Sequence, residues 1–100
     1  MKSFQVAHLN IDDVQLVVVF LPSAFDAITE QKRLEFFTTL ERSAASAGLA
    51  GNVVALWQDP SHRTRFIAPP QQHPFFQIMK YEQLLAQVNQ TLACAWEEVF

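Results

Sequence analysis

Two apolar runs separated by a long helical pattern dominate the hydrophobic profile of this chain. Val14–Phe20 and Asn52–Gln58 are rich in β-branched residues and alternate little with polar ones. A strand with one solvated face would alternate, so continuous apolar strands are expected to be covered on both faces. The pattern therefore predicts a small α/β core with these two runs as its central strands.

A β-hairpin is predicted at the start of the chain. Phe4–Ile11 and Val14–Leu21 are strand-like, and Asp12 and Asp13 lie between them. Acidic side chains favour turns because they accept hydrogen bonds from nearby backbone amides. Pro22 then ends the second strand, since proline cannot donate to a sheet.

A helix is predicted from Ser23 or Thr29, the two candidate caps, to about Ala47. Gly48 follows it and suits a helix end, because glycine adopts positive φ without strain. The apolar positions with helical spacing are Leu34, Phe37, Leu40, Ala44 and Ala47.

The second half of the chain predicts another hairpin and a final helix. Asn52–Gln58 leads into an Asp59-Pro60 turn, and Arg63–Ala68 returns as a more polar strand nearer an edge. The proline-rich stretch from residue 69 to residue 74 is predicted to be irregular. A final helix is expected to begin between residues 75 and 81 and to continue to residue 99, with a short strand at residues 75–79 as the alternative.

These elements predict one domain, residues 1–100, of the α/β (or α+β) class with the order ββαββα. A central mixed sheet of about four strands would be packed by two helices, with the two apolar strands parallel. This order loosely resembles the thioredoxin-like layout. Pro22-Ser23-Ala24-Phe25 stands where that layout would carry its CxxC motif, so the resemblance implies no redox role.

Charge and composition limit the partners. The net charge is −3 without a basic block, so nucleic acid is not a predicted partner. A sheet platform of Arg63, Arg65 and Trp57 for single strands is the weakest alternative. Cys94 is the only cysteine, and no leader or membrane-length apolar run is recognisable, so a cytosolic (cytoplasmic) protein without membrane association is expected.

The candidate ligand site lies in the segment from Asp59 to Phe76. Arg63 and Arg65 would project from one face of a strand, roughly 6–7 Å apart, and could hold a carboxylate or phosphate. His62 or His73 could then move a proton near neutral pH. The simpler interpretation is a solvated edge strand, with His62 in a turn and His73 beside a proline.

No other chemistry emerges from the sequence. The histidines and Cys94 lack the short spacings of metal sites. The charged residues near Cys94, Glu97 and Glu98, are acidic and would not favour a thiolate, and two glycines cannot form a phosphate loop. No catalytic residue, metal or cofactor is therefore predicted.

Surface aromatics support the leading functional hypothesis. Only 17% of the residues are charged, which predicts uncharged surface available for association. The aromatic residues placed least securely in the core are Phe36, Phe75, Phe76, Trp96 and Phe100. The sequence favours an interaction or regulatory module that self-associates as a homo-oligomer or docks on a protein partner, rather than an enzyme. A phenylalanine-rich core, a polar surface, and the anion site above remain the alternatives.

Overall fold

A five-stranded mixed sheet forms the centre of the protein, for which a computed structural model describes residues 2–94. Its strands are β1 (Lys2–Ile11), β2 (Val14–Phe20), β3 (Asn52–Gln58), β4 (Thr64–Ile67) and β5 (Gln90–Cys94). The α-helices are α1 (Glu30–Ser46), α2 (His73–Ile78) and α3 (Tyr81–Leu85), with 3-10 turns at Ser23–Ala27 and Pro70–Gln72. The strand order across the sheet is β4-β3-β2-β1-β5.

The two apolar strands pair in parallel at the middle of the sheet. Their register runs from Leu16 opposite Asn52 to Phe20 opposite Leu56, and α1 connects them. Every other neighbouring pair is antiparallel. The α/β class and the parallel pair are confirmed, and the observed order is loosely consistent with the predicted ββαββα order and the thioredoxin-like layout.

Both faces of β2 are buried, as its lack of alternation predicts. Val17 and Val19 contribute to an apolar cluster with α1, whereas Leu16 and Val18 contribute to a cluster with α2 and α3. All four side chains have an exposed fraction of 0%. The molecule therefore has three layers, with the sheet between α1 and the α2–α3 pair.

Both predicted turns form. Asp12 and Asp13 have φ values of 51° and 66° between the paired residues Ile11 and Val14, the positive-φ geometry of a two-residue hairpin turn. In the second hairpin the amide of His62 donates to the carbonyl of Asp59 at 2.9 Å. One hairpin turn thus joins β2 to β1 at the start of β2, and the other joins β3 to β4 at the end of β3.

Helix α1 has the predicted ends and only part of the predicted buried face. The Thr29 hydroxyl accepts a hydrogen bond from the amide of Lys32 at 3.2 Å, and Gly48 has a φ of 77°. The buried residues are Phe36, Leu40 and Ala44, spaced four apart, whereas Leu34 is 50% exposed. The predicted stripe is therefore confirmed at Leu40 and Ala44, and half-buried Phe37 packs against the same cluster. It is wrong at its two ends, Leu34 and Ala47, which are exposed.

The prediction of a long final helix is also wrong. The last helix among the described residues ends at Leu85, and Gln90–Cys94 forms β5 instead. The Asn89 side chain accepts from the His8 amide at 2.9 Å and donates to the His8 carbonyl at 3.1 Å, so it starts the pairing with β1. The proline-rich stretch is likewise not wholly irregular, since Pro74 sits in the first turn of α2, where no amide donor is needed.

None of the helices in residues 2–94 combines the length and the apolar character that crossing a bilayer requires.

Candidate functional site

Arg63 is held by a carboxylate within its own hairpin. Its Nε donates to Asp59 Oδ2 at 3.1 Å, and its amide donates to Asp59 Oδ1 at 3.0 Å. The Ser61 amide donates to the same oxygen at 2.9 Å. The backbone hydrogen bond from Arg63 is the main cause that lowers the pKa of Asp59, with its guanidinium and Ser61 adding to the effect against the opposing influence of burial.

Arg65 faces a different carboxylate. Its Nη1 lies 3.5 Å from Asp26 Oδ1, the oxygen that accepts the indole hydrogen of Trp57 at 3.1 Å. Arg33 lies beside them, with its guanidinium carbon 6.0 Å from the centroid of the Trp57 ring. The side chain of Arg65 is thus part of an ion pair between β4 and the turn that follows β2.

The two candidate histidines lie at opposite ends of β4. His62 occupies the turn before the strand, whereas His73 follows it and has its Nε2 2.9 Å from the Ala68 carbonyl oxygen. The His73 ring also packs edge-on against Phe66, with 5.2 Å between centroids. The structure therefore does not bring Arg63, Arg65, His62 and His73 together in one pocket.

Of the five aromatic residues predicted to form an interface, two lie in the core, one is half-buried and two lie outside the described residues. Phe36 is 3% exposed and Phe76 is 2% exposed, so both rings fill the monomer core. Phe75 is half-buried and contacts Phe76 at a centroid distance of 5.0 Å. Trp96 and Phe100 lie outside the described residues.

A groove of about 690 Å³ opens between the end of α1 and the start of β3. This α1–β3 groove is lined by Phe37, Glu41, Ala44, Ala45, Gly48, Leu49, Ala50, Gly51, Asn52, Val53, Ile67, Ala68 and Pro69. Glu41 is the one charged residue in that lining as far as the described part of the chain extends, and the described wall consists mostly of apolar side chains and backbone.

Gly51 fixes the floor of this groove against β2. A Cβ atom at this position would lie 2.5 Å from the carbonyl oxygen of Gln15, and the φ of Gly51 is 129°. Both the close approach and the backbone conformation require glycine. The start of β3 is therefore held close to β2 and leaves its other side facing the groove.

A second cavity, of about 330 Å³, lies at the carboxyl ends of β2 and β3. This strand-end pocket is lined by Leu21, Pro22, Ser23, Gln58, Asp59, Pro60, His62 and Tyr81. The Tyr81 ring is held edge-on by Phe20 at a centroid distance of 5.6 Å. Burial, with a contribution from the charge of Glu82, raises the pKa of Tyr81, so its hydroxyl stays protonated near neutral pH.

The position of Tyr81 was missed by sequence reasoning, which expected only a helix in this region, whereas α3 places the Tyr81 ring beside the β3–β4 turn. The end of β4 was predicted to within one residue, at Ala68 instead of Ile67, because Pro69 and Pro70 cannot donate to a neighbouring strand. Within residues 2–94, no three His, Cys, Asp or Glu side chains are grouped closely enough to hold a metal ion.

Comparison with known proteins identifies no relative: no protein-family model, no curated protein and no solved structure matches this chain.

Proposed function

We propose that this chain is a small interaction module that binds an extended segment of a partner protein in the α1–β3 groove. The observation that carries the proposal is the early end of β4. It pairs with residues Ala55–Gln58 of β3 and leaves Asn52–Val54 with a strand neighbour only on the β2 side, among the described residues. A strand edge that lacks a neighbouring strand is a template for adding one.

The backbone orientation of β3 supports strand addition at this place. The Leu21 amide donates to the Leu56 carbonyl at 2.8 Å, so Leu56 points its backbone groups toward β2. Residues at odd positions, including Val53, then point theirs toward β4 and the groove. The pairing of Ala55 with Ile67 would put Pro69 opposite Val53, and proline has no amide hydrogen to donate.

The groove defines the chemistry of the segment it would accept. Main-chain hydrogen bonds to β3 give affinity without regard to sequence, and the side chains that point into the groove give specificity. Ala44, Ala45 and Ile67 favour small or medium apolar side chains at alternate positions. Glu41 on the rim and the net charge of −3 favour a basic residue next to them.

Where a second copy of the chain supplies the segment, the module is a homo-oligomer. The same groove would then be occupied in a dimer or a larger assembly. Sedimentation velocity distinguishes self-association from binding of a different protein. If copies of the chain associate through the groove, a substitution that fills the groove should convert the assembly to monomer.

The proposal is tested by selecting binders from a displayed library of short peptides. We expect selected peptides to bind the wild-type protein and to bind Ala45→Trp at least about tenfold more weakly, since the indole would fill the groove. Ala86→Trp is the matched control, because Ala86 is exposed and lies outside the groove lining. Methylation of alternate peptide amides should also abolish binding, as strand addition requires their hydrogens.

Two results would contradict this function. One is a selection that yields no specific peptide. The other is a set of binders that Ala45→Trp and Ala86→Trp affect equally, which would place the interaction away from the α1–β3 groove.

A further inference from the structure

The strand-end pocket has the position that ligands favour in open α/β sheets. Such ligands bind outside the carboxyl ends of parallel strands, where the connections leave toward opposite faces of the sheet. The chain leaves β2 toward the face covered by α1, and after β3 and β4 it reaches the face covered by α2 and α3. The pocket therefore lies where the fold itself leaves an opening between two layers.

Four polar side chains converge on this pocket without partners in the described part of the protein. They are Ser23, Gln58, His62 and Tyr81, and no hydrogen bond joins any of these side chains to another described residue. Each offers both a donor and an acceptor when the imidazole is neutral. Their hydrogen-bonding capacity is therefore free for a ligand.

The charges around the pocket favour an uncharged ligand. Asp59 is the one acidic residue among the described residues of the lining, and it already accepts three hydrogen bonds from Ser61 and Arg63. The Arg63 guanidinium is paired with that carboxylate at 3.1 Å. Within residues 2–94, the lining thus presents neither a free carboxylate for an amine nor a free guanidinium for a phosphate.

His62 reaches the pocket from a backbone conformation that side chains rarely adopt. Its φ is 64°, at the point of the hairpin where glycine or asparagine is the usual residue. A glycine would relieve this strain but would remove the imidazole. The local strain is consistent with a role for the His62 side chain in binding.

We propose that the strand-end pocket binds a small uncharged molecule carrying several hydroxyl groups, of monosaccharide size. Hydroxyls donate and accept at once, which matches Ser23, Gln58, His62 and Tyr81. The aliphatic face of such a ligand would pack against the apolar part of the lining, formed by Leu21, Pro22 and Pro60. A volume of about 330 Å³ is near the lower limit of ligand pockets, which run from about 300 Å³.

A panel of neutral monosaccharides, titrated at millimolar concentration and followed by amide chemical shifts, tests the proposal. We expect saturable shifts around Ser23, Gln58 and His62 for at least one sugar. Gln58→Leu and Tyr81→Phe should each weaken that binding about three- to tenfold, the value of one lost hydrogen bond. Gln77→Leu is the matched control, since Gln77 is exposed on α2 and outside the pocket lining.

His62→Gly separates binding from stability. It should keep or raise the midpoint of thermal unfolding, because glycine adopts a φ of 64° without strain, and it should nevertheless weaken sugar binding. Phosphorylated sugars and nucleosides complete the panel. The proposal is overturned if no neutral sugar binds, if only a charged compound binds, or if Gln58→Leu, Tyr81→Phe and Gln77→Leu bind alike.

Discussion

Asp59 organises the connection between β3 and β4 by its side chain as well as its backbone. Its carboxylate accepts from the Ser61 and Arg63 amides at 2.9 and 3.0 Å and from Arg63 Nε at 3.1 Å. Its own amide donates to the Arg63 carbonyl at 2.9 Å. The residue is only 4% exposed, so these bonds satisfy a carboxylate that would otherwise be costly to bury.

Replacing Asp59 with Asn should change the pH dependence of stability. The pKa of Asp59 is lowered by folding, so its stabilisation is present above the ordinary aspartate pKa of about 3.9 and is lost as the pH falls through the lower folded value. We expect Asp59→Asn to lower the urea midpoint at pH 7 and the two proteins to converge in acid. Urea unfolding from pH 7 downward measures this.

Asp13→Asn is the control for that comparison, since Asp13 is an exposed turn residue. A plot of the urea midpoint of Asp13→Asn against pH should run parallel to the wild-type plot. An Asp59→Asn protein that loses as much stability in acid as the wild type would show that the hydrogen bonds of Asp59 do not contribute this pH dependence.

Single-residue roles were predictable where the chemistry is local. Thr29 as a helix cap and Gly48 at positive φ follow from the preferences of these residue types. The partners of Arg65 and His73 did not follow, because Asp26 and the Ala68 carbonyl become neighbours only after the sheet has formed. The predicted anion site depended on such long-range contacts, and the spacing of Arg63 and Arg65 along the chain gives no information about them.

Among the elements, β5 shows why the last part of the sequence was misread. Leu84, Leu85, Val88 and Leu92 have helical spacing, but Leu92 and Cys94 also alternate with polar or exposed positions. A short apolar run does not distinguish the two periods. The Asn89 contacts with β1, which decide in favour of the strand, join positions 81 residues apart and cannot be read from local pattern.

Ala93→Thr should therefore stabilise the protein slightly. Ala93 is exposed on β5 opposite Ser3, and threonine is favoured over alanine in strands by up to about 1 kcal/mol. Ala45→Thr on the exposed side of α1 is the counterpart and should cost about 0.5 kcal/mol, because β-branched residues are poor in helices. Chemical unfolding of both proteins gives the comparison, and equal destabilisation by both substitutions would contradict strand structure at Ala93.

At the scale of the whole molecule, the apolar centre of the sheet divides two separate side-chain clusters. Both β2 and β3 contribute side chains to the two clusters. The exposed fraction is 0% for Val17 and Val18 in β2 and for residues 54–56 in β3. The predicted central position of β2 and β3 is confirmed. A sheet that is buried on both faces requires many apolar residues, so this position explains why the chain has few charged ones. The outer strands β4 and β5 each have one strand neighbour within the described residues.

This arrangement predicts the order of amide exchange. The amides of β2 and most of β3 should exchange slowest, since opening them disrupts both clusters, and those of β4 should exchange faster. Within β3, the Val53 amide should exchange faster than the neighbouring Val54 amide. The backbone N–H of Val53 points toward the α1–β3 groove, whereas that of Val54 points toward β2. Residue-resolved hydrogen exchange by NMR measures both differences. Equal protection of Val53 and Val54 would mean that the β3 edge is already satisfied, and strand addition there would lose its basis even though the fold remained correct.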